Sequence, residues 1–527
     1  MSSSSSSRRG GGLCVINEDI VQNIVTRLPA TTFASAACVS KTWNQICKRV
    51  LSRPKLASAV SLNPSSHFAI EEVLDKVLAE PIRPDFAIAS VGCGFDLNST
   101  FQIIATRLGS RTPIILSRSR GVIGRDALND EFREIKWGDA YSVEDYENNT
   151  RSGIAMTIGF VPGLKVDVIT LIRPNQLALP EPLVDNFVMD IRNYTMSVSG
   201  STSPVGIIMF GCELIDQTLI LEKLDYALPG ETVIVGDGKS LFLSSGAIDI
   251  RHACQGISDL ASAALVFARD RNKFDGIGEI QFHVALSNGV SAIGPSYKAV
   301  SVRLSESDRA TWLTARREGE QEILDGEQIL NNIDNELADR IQYPDLYIGV
   351  AKRRKISIGS EKARYLKSLS FHGVKGGDEE YLYAYGGGIK TGDHFKFYHS
   401  DPDTALNSLR NVSLFLRNLK LEWNSKNVRN MMAVDIVGKR EAFGGFIFSC
   451  CGRGRSFFGN LNVDSSPLLE NFPGVPLAGI FCGGEVGRSI SSLTGQGILE
   501  ESSIMARLHV YSTVFLLMSY TPVPPDN

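Results

Sequence analysis

Apolar positions along this chain first follow a helical period and then change to short runs. Over residues 16–56, Ile20, Ile24, Val25 and Leu28 recur at intervals of three and four. A second series follows with Phe33, Ala37, Val39, Trp43, Ile46, Cys47 and Val50. Asn17 with Glu18 and Asp19 offers a cap and favourable negative charge at the first helix start. Leu28-Pro29 stops that helix, because the residue before a proline is pushed off helical angles. Two or three short helices in about 40 residues cannot bury both apolar faces alone. Some of that surface must meet a partner or the neighbouring domain.

From about residue 66 the pattern changes to short β-branched runs bounded by Gly, Pro, Asn or Asp: "DFAIASVG", "TPIILSRS", "SGIAMTIGF", "KVDVITLI", "PVGIIMFG" and "ETVIVGD". Helical candidates lie between several of them, at Ile70–Leu78, Thr100–Leu108 and Ile215–Ala227. Near-continuous apolar strands alternating with helices predict an α/β unit with a buried sheet. "EIQFHVALSNGVSAIG" and "YKAVSVRL" read as a hairpin closing this unit near residue 304. The mostly polar stretch 305–341 reads as helical, strands return in "YLYAYGGGIKTGDHFKFYHSD", and "TALNSLRNVSLFLRNL" reads as a helix. The expected division is a tail at 1–15, a helical module at 16–60, a first α/β part at 66–304 and a second at 305–527.

Composition narrows the functional classes. At 527 residues the chain is expected to hold about three units. A hydrophobic share of 43% suits a globular protein, and a formal charge of −4 supplies no global field toward nucleic acid or an anionic membrane. The apolar run "VYSTVFLLM" is far shorter than the ~20 residues that span a bilayer. The start, "MSSSSSSRRGGGLC", lacks the apolar core of a secretory signal and reads as a floppy tail. Nine scattered cysteines show no zinc-type spacing and suit a reducing compartment, so the cytoplasm or nucleus is the expected address and no metal or cofactor is expected.

The first module resembles the F-box, the helical element that docks a substrate receptor onto the SKP-family adaptor of a cullin–RING ubiquitin ligase. The features that carry the resemblance are "EDIVQNIVTRLP", an aromatic spacer and "VSKTW". Where the family usually opens with Leu-Pro this chain has Ile16-Asn17, and Ser40 stands where Cys is common. The resemblance implies that Ile20, Ile24, Val25, Leu28, Pro29, Val39, Trp43 and Ile46 seat in a groove of the adaptor, with Trp43 as anchor. Cullin and RING subunits would follow through that adaptor.

Near the C-terminus, "GGFIFSCCGRGRSFFG" runs an apolar strand into Cys450, Cys451, Gly452, Arg453 and Arg455. "LAGIFCGGEVG" ends a second strand at Cys482, Gly484 and Glu485. The glycines permit a sharp turn and close approach of a ligand, and the guanidinium forks suit a carboxylate or phosphate. Arg and Glu at facing strand ends would hold an amino-acid-like molecule. Alternatively, Arg453 or Arg455 pairs with Glu485 and ties two turns together. A Cys nucleophile needs a nearby base, and only the distant His509 is available; a vicinal disulfide is strained, and metal spacing is absent. These blocks, with "LHVYSTVFLLM", resemble the C-terminal half of the FIST domain, a sensory module named for F-box proteins and intracellular signal transduction. "SRSRGVIG" and "VALSNGVSAIGPSYKAVSVRL" resemble its N-terminal half.

Other signals carry less. "IVGDGKSLF" lacks the first glycine of a phosphate loop, Val233 standing there, and continues as strand. "GCGFD" reads as a two-glycine turn, Lys352–Lys355 as a solvated basic loop, and residues 194–206 as an exposed loop. No leucine-rich spacing is sustained. The sequence therefore leads to a small all-α F-box module followed by a large mixed-sheet, two-part FIST-like α/β region. The expected function is non-catalytic: a receptor for an unidentified protein substrate of an SCF-type ligase, leading to ubiquitination and proteasomal degradation. The rival reading is a ligand-sensing scaffold.

Overall fold

The computed structural model describes residues 18–138, 153–173, 179–245, 260–305, 309–337, 344–430, 439–488 and 506–523. The expected tail and the Asn17 cap lie outside them. Three short helices come first: α1 (Glu18–Val25), α2 (Ala30–Ala37) and α3 (Lys41–Val50). The next stretch runs β1 (Lys55–Ser61), α4 (Ser66–Val77), β2 (Phe86–Val91), α5 (Leu97–Leu108), β3 (Ile114–Arg118), β4 (Gly121–Arg125), β5 (Phe132–Lys136), β6 (Ile154–Phe160) and β7 (Leu164–Ile172). It continues with α6 (Glu181–Ser199), β8 (Gly206–Cys212), α7 (Thr218–Ala227), β9 (Val233–Ser244), β10 (Leu260–Arg269) and β11 (Glu279–Ser287). Then come β12 (Val290–Ser305), β13 (Ala310–Arg317), α8 (Gly326–Leu337), β14 (Leu346–Ile356), β15 (Arg364–Gly377), β16 (Leu382–Tyr385) and β17 (His394–Ser400). The last stretch holds α9 (Pro402–Asn430), β18 (Glu441–Cys450), α10 (Arg455–Phe458), α11 (Ser466–Asn471), β19 (Leu477–Cys482), β20 (Glu485–Arg488), β21 (Ala506–Leu508) and β22 (Thr513–Thr521).

These strands form three systems. The largest sheet runs β1-β6-β2-β3-β9-β8-β10-β7, with β20 and β21 joined to it through β9. The second runs β11-β22-β18-β19-β4-β5, and β12-β13-β16-β15-β14-β17 close into a barrel. All six residues of β2 and all seven of β8 are buried, which is why those runs read as continuous apolar stretches rather than alternating ones. Helix α5 starts where Asp96 accepts from the Ser99 amide at 2.7 Å, and α4 turns Ala69, Ile70, Val73, Leu74 and Val77 into the core.

The sheets do not divide at residue 304. β4 and β5 from the first half pair into the second sheet, and β20 and β21 from the second half join the first. β11 and β12 are not a hairpin: β11 pairs with β22, whereas β12 pairs with β13 and β17. The polar stretch after Ser305 is not one helix, since Ala310–Arg317 is a barrel strand with alternating burial, and the described helix is Gly326–Leu337. Residues 194–199 close the 19-residue α6 rather than opening a loop; Val184, Phe187, Val188 and Ile191 had the helical spacing to show it. Lys352–Lys355 lie in strand β14, where Arg354 meets Glu222 of α7 at 3.4 Å and Lys352 meets Asp393 at 3.2 Å. Among the described residues no helix is long and apolar enough to cross a membrane.

Candidate functional site

The first module has its own small core: Val21, Val25, Phe33, Ala36, Ile46 and Cys47, with Leu28 and Trp43 packed against it. Ser40 caps α3 by accepting from the Trp43 amide at 3.2 Å. The residues expected to meet an adaptor therefore separate. Val25 and Ile46 are buried inside the module, at 0% and 1% exposure, and cannot seat in a groove outside it. Trp43 and Leu28 are half-buried. Ile20, Ile24 and Val39 stand in solvent at 54%, 48% and 66%, and Pro29 is exposed beside them. The correction has a simple cause. On α1, Val21 and Val25 share the inward stripe at i and i+4, which leaves Ile20 and Ile24 one step round the helix facing out. The module abuts the body through Ala30, whose amide donates to the Leu78 carbonyl at 2.9 Å, and through Arg53, paired with Glu441 at 3.0 Å.

The C-terminal motif lies at the seam between the two sheets. β18 and β19 run parallel and in register to their ends, which places Cys450 beside Cys482. The Cys451 amide donates to the Cys482 carbonyl at 2.9 Å. β20 pairs antiparallel with β9, setting Glu485 opposite Asp237. Asp237 was not anticipated as a site residue; it sits in the Gly-Lys-Ser stretch, read only as a failed phosphate loop. Its Oδ1 accepts from the amides of Lys239 at 3.0 Å and Gly484 at 3.3 Å. The Gly238 amide donates to the Gly484 carbonyl at 2.7 Å and clasps the two turns together.

Arg453 does not reach Glu485. It is fully buried and pairs with Asp464, which is equally buried, at 2.8 Å. Its Nη1 donates to the Tyr511 carbonyl at 3.0 Å and its Nη2 to the Ser287 hydroxyl at 3.1 Å, its Nε has no hydrogen-bond partner, and its guanidinium lies over the Phe458 ring. Asp464 also accepts from Ser449 at 2.9 Å and Thr513 at 2.8 Å. The expected arginine tie to the Glu485 turn is therefore not formed: the carboxylate that pairs with Arg453 comes from the segment before α11, which linear spacing does not mark. Arg455 is exposed, on the short α10. Gly452 is required by close approach, since a Cβ there would lie 2.5 Å from the Tyr511 ring; Gly454 takes a φ of 92°.

Glu485 is left with a different environment. Its Oε2 accepts from Ser512 at 3.0 Å, while Oε1 has no partner in hydrogen-bonding geometry and the side chain is fully buried. Burial raises its carboxyl to about 8, with negative charge at Cys451 adding to the shift. Burial likewise raises Asp237, to about 7. Cys451 moves the other way. The adjacent Cys450 thiol donates to it, Arg120 and Lys136 add positive charge, and the Cys451 thiol falls to about 6 despite its burial. The Cys450 thiol rises, chiefly because its proton is held by Cys451. Lys136, at the end of β5, donates to the Arg453 carbonyl at 3.0 Å and to Ser456 at 2.8 Å. The first half of the chain thus supplies both cations facing the thiol.

The F-box domain model matches residues 13–55, and the FIST C domain model matches residues 372–488, beginning inside barrel strand β15. F-box/LRR-repeat protein At5g63520 of Arabidopsis thaliana is 46% identical over 516 residues, covering 97% of this chain and 94% of that protein. The chain belongs to the F-box protein family. The repeat in that relative's name has no counterpart among the described residues, whose strands form two sheets and a barrel. Short matches also occur with uncharacterized proteins of Mycobacterium tuberculosis, 48% identical over 44 residues, and Mycobacterium bovis, 48% over 46 residues, each covering 12% of the relative.

Proposed function

We propose that this chain is the substrate-receptor subunit of an SCF-type ubiquitin ligase, acting in the cytoplasm or nucleus. The observation that carries the reading is the uncovered apolar face of the F-box module, where Ile20, Ile24 and Val39 are exposed while the module's core is complete without them. The face docks an SKP-family adaptor as helices in a groove, and cullin and RING subunits follow through it. The body, including residues 66–304 as the matching FIST N-terminal half, holds a protein substrate near the charged conjugating enzyme. Its mechanism is raised effective concentration rather than bond making by this chain. Ubiquitination and proteasomal degradation of the substrate follow.

The test is co-purification of the adaptor with the full chain and with Ile24→Asp, combined with a proteome comparison after residues 1–60 are deleted. Loss of adaptor with Ile24→Asp and accumulation of particular proteins on deletion support the receptor. Retained adaptor binding with no protein accumulating would favour the scaffold reading, in which the seam binds a small amino-acid-like ligand. One observation favours that second reading: the buried, unpartnered Oε1 of Glu485 is an acceptor suited to a ligand amine. Arg453 cannot supply the opposite charge of such a clamp, being already paired with Asp464.

A further inference from the structure

Over residues 346–377 the chain carries eight Lys and Arg against one carboxylate, Glu361. Strands β14 and β15 fold this stretch into a two-stranded ribbon, paired from Tyr347 opposite Gly373 to Ile356 opposite Arg364. Strand alternation sorts the charges by face. One face is spent inside the protein: Lys352 meets Asp393, Arg354 meets Glu222, Ser368 donates to the same Glu222 at 2.8 Å, and Arg364 lies over the Tyr226 ring. Glu361, between the strands, is taken by Arg192 of α6 at 2.7 Å. The other face holds Arg353, Lys355, Tyr365 and Lys367, all exposed. Among the described residues none of its three cations is paired with a carboxylate. The register puts Arg353 directly opposite Lys367, a like-charge arrangement that destabilises a ladder. Tyr365 stands 61% exposed, with the Arg353 guanidinium 4.6 Å from its ring centroid. β17 accompanies β14 over Leu346–Val350 and β16 joins β15 from Val374 onward, so no further described strand lies along this part of the ribbon.

We propose that this outer face is the docking surface for an extended acidic segment of a protein, with Asp or Glu at alternate positions. Side chains on one face of an extended chain recur every ~6.5–7 Å, which is also the spacing of Arg353 and Lys355 along β14. Carboxylates at that interval meet the two cations in step. Arg353 presents a planar fork to one carboxylate, and Lys355 and Lys367 act as point charges. A carboxylate between Arg353 and Lys367 removes the repulsion that the register builds in. Three cations are few for a nucleic-acid duplex, where about 6–10 phosphate contacts are usual. They are also few for an anionic membrane, which calls for clusters of about 4–8. A short peptide needs no more than three. The role of this surface rests on the receptor reading, for which it gives the class of substrate: a protein displaying an acidic, strand-like segment.

Fluorescence anisotropy of the full chain with labelled synthetic peptides tests this. One peptide alternates Glu and Ser; a second carries the same number of Glu at every third position. The alternating peptide is expected to bind more tightly, and its affinity to fall with added salt. Arg353→Ala, Lys355→Ala and Lys367→Ala together are expected to weaken it roughly tenfold. Arg83→Ala, Arg111→Ala and Lys165→Ala remove the same charge from another exposed basic surface and should leave it unchanged. The ribbon variant should keep the wild-type urea midpoint, since its side chains are exposed. Equal loss in both triple variants, or equal binding of the two peptides, overturns the surface. Absence of peptide binding also overturns it and leaves the charges as protection of an open strand edge. Tighter capture of a DNA duplex or of phosphatidylserine vesicles, lost in the ribbon variant, overturns the peptide assignment. The peptides need no adaptor, so adaptor loss with peptide binding intact strikes the receptor reading alone.

Discussion

Arg453 and Asp464 face each other at 2.8 Å with neither side chain exposed, and together they join three strands of the second sheet. Through Ser287 and Tyr511 the guanidinium reaches the ends of β11 and the approach to β22; through Ser449 and Thr513 the carboxylate reaches β18 and β22. A buried pair is weak evidence for net stability, yet removing one partner strands the other charge at a cost of about 3–5 kcal/mol. Arg453→Met and Asp464→Leu are each expected to lower the urea midpoint by that order. The double variant should lose less than the sum. Strict additivity would show that the two charges do not depend on each other.

The F-box module separates docking from folding. Ile24→Asp changes an exposed side chain and should leave thermal stability within about 0.5 kcal/mol while abolishing adaptor binding. Ile46→Ala opens the module's core and should destabilise it by about 2–5 kcal/mol. Calorimetry and adaptor titration on the same two variants decide this. If Ile24→Asp unfolds the module, the exposed face is structural.

Helix α7 carries two buried charges that fasten the barrel to the large sheet. Glu222 accepts from Ser368 at 2.8 Å, and Lys223 donates to the Ser357 carbonyl at 2.9 Å while pairing with Asp185. Replacing Glu222 by Ala leaves Ser368 without its acceptor and Arg354 without its counter-ion. Faster hydrogen exchange in β14 and β15, with β8 and β10 unchanged, is the expected result. Uniform loss of protection across all four strands would place Glu222 in the global core instead.

Much of the fold was legible because local pattern and tertiary environment agree where strands are buried on both faces. β2, β3, β6 and β8 lie in runs dominated by apolar residues, and β9 opens on one before the polar stretch at 236–240. The barrel was not legible, because β13 alternates buried and half-buried positions and is flanked by charged stretches, and so looks polar in one dimension. At the seam, the paired thiols, Arg453 and Glu485 were visible as strand-end motifs. Asp464 and Asp237 were not, since nothing in linear spacing marks a carboxylate that another segment brings into place. In the F-box module, helical periodicity found the apolar positions, but two adjacent stripes of α1 carry them. Only packing tells the inward Val25 from the outward Ile24.

The paired carboxyls Asp237 and Glu485 make stability depend on pH with an unusual sign. Burial first, and negative charge nearby second, raise their folded values to about 7 and about 8. In the unfolded chain both ionise near the ordinary carboxylate range, at about pH 4. Between that point and the folded values the native state holds protons that the unfolded state has released, so stability falls as pH rises. The slope is on the order of 1 kcal/mol per pH unit for each carboxyl. Cys451 acts in the opposite sense, because its thiol is lowered to about 6; its contribution grows as pH rises from there toward the unfolded thiol value. Two buried histidines, His283 and His509, are lowered to about 4 by burial and remove stability as pH falls below the unfolded histidine value. The contribution of Asp237 and Glu485 is therefore read by difference: between about pH 6 and about pH 8 the urea midpoint of the wild type should fall relative to that of Asp237→Asn with Glu485→Gln, while the histidines, Cys451 and Glu134, whose carboxyl burial also raises to about 7, remain in both proteins. A double variant that keeps the wild-type slope would mean that neither carboxyl holds its proton in the folded protein.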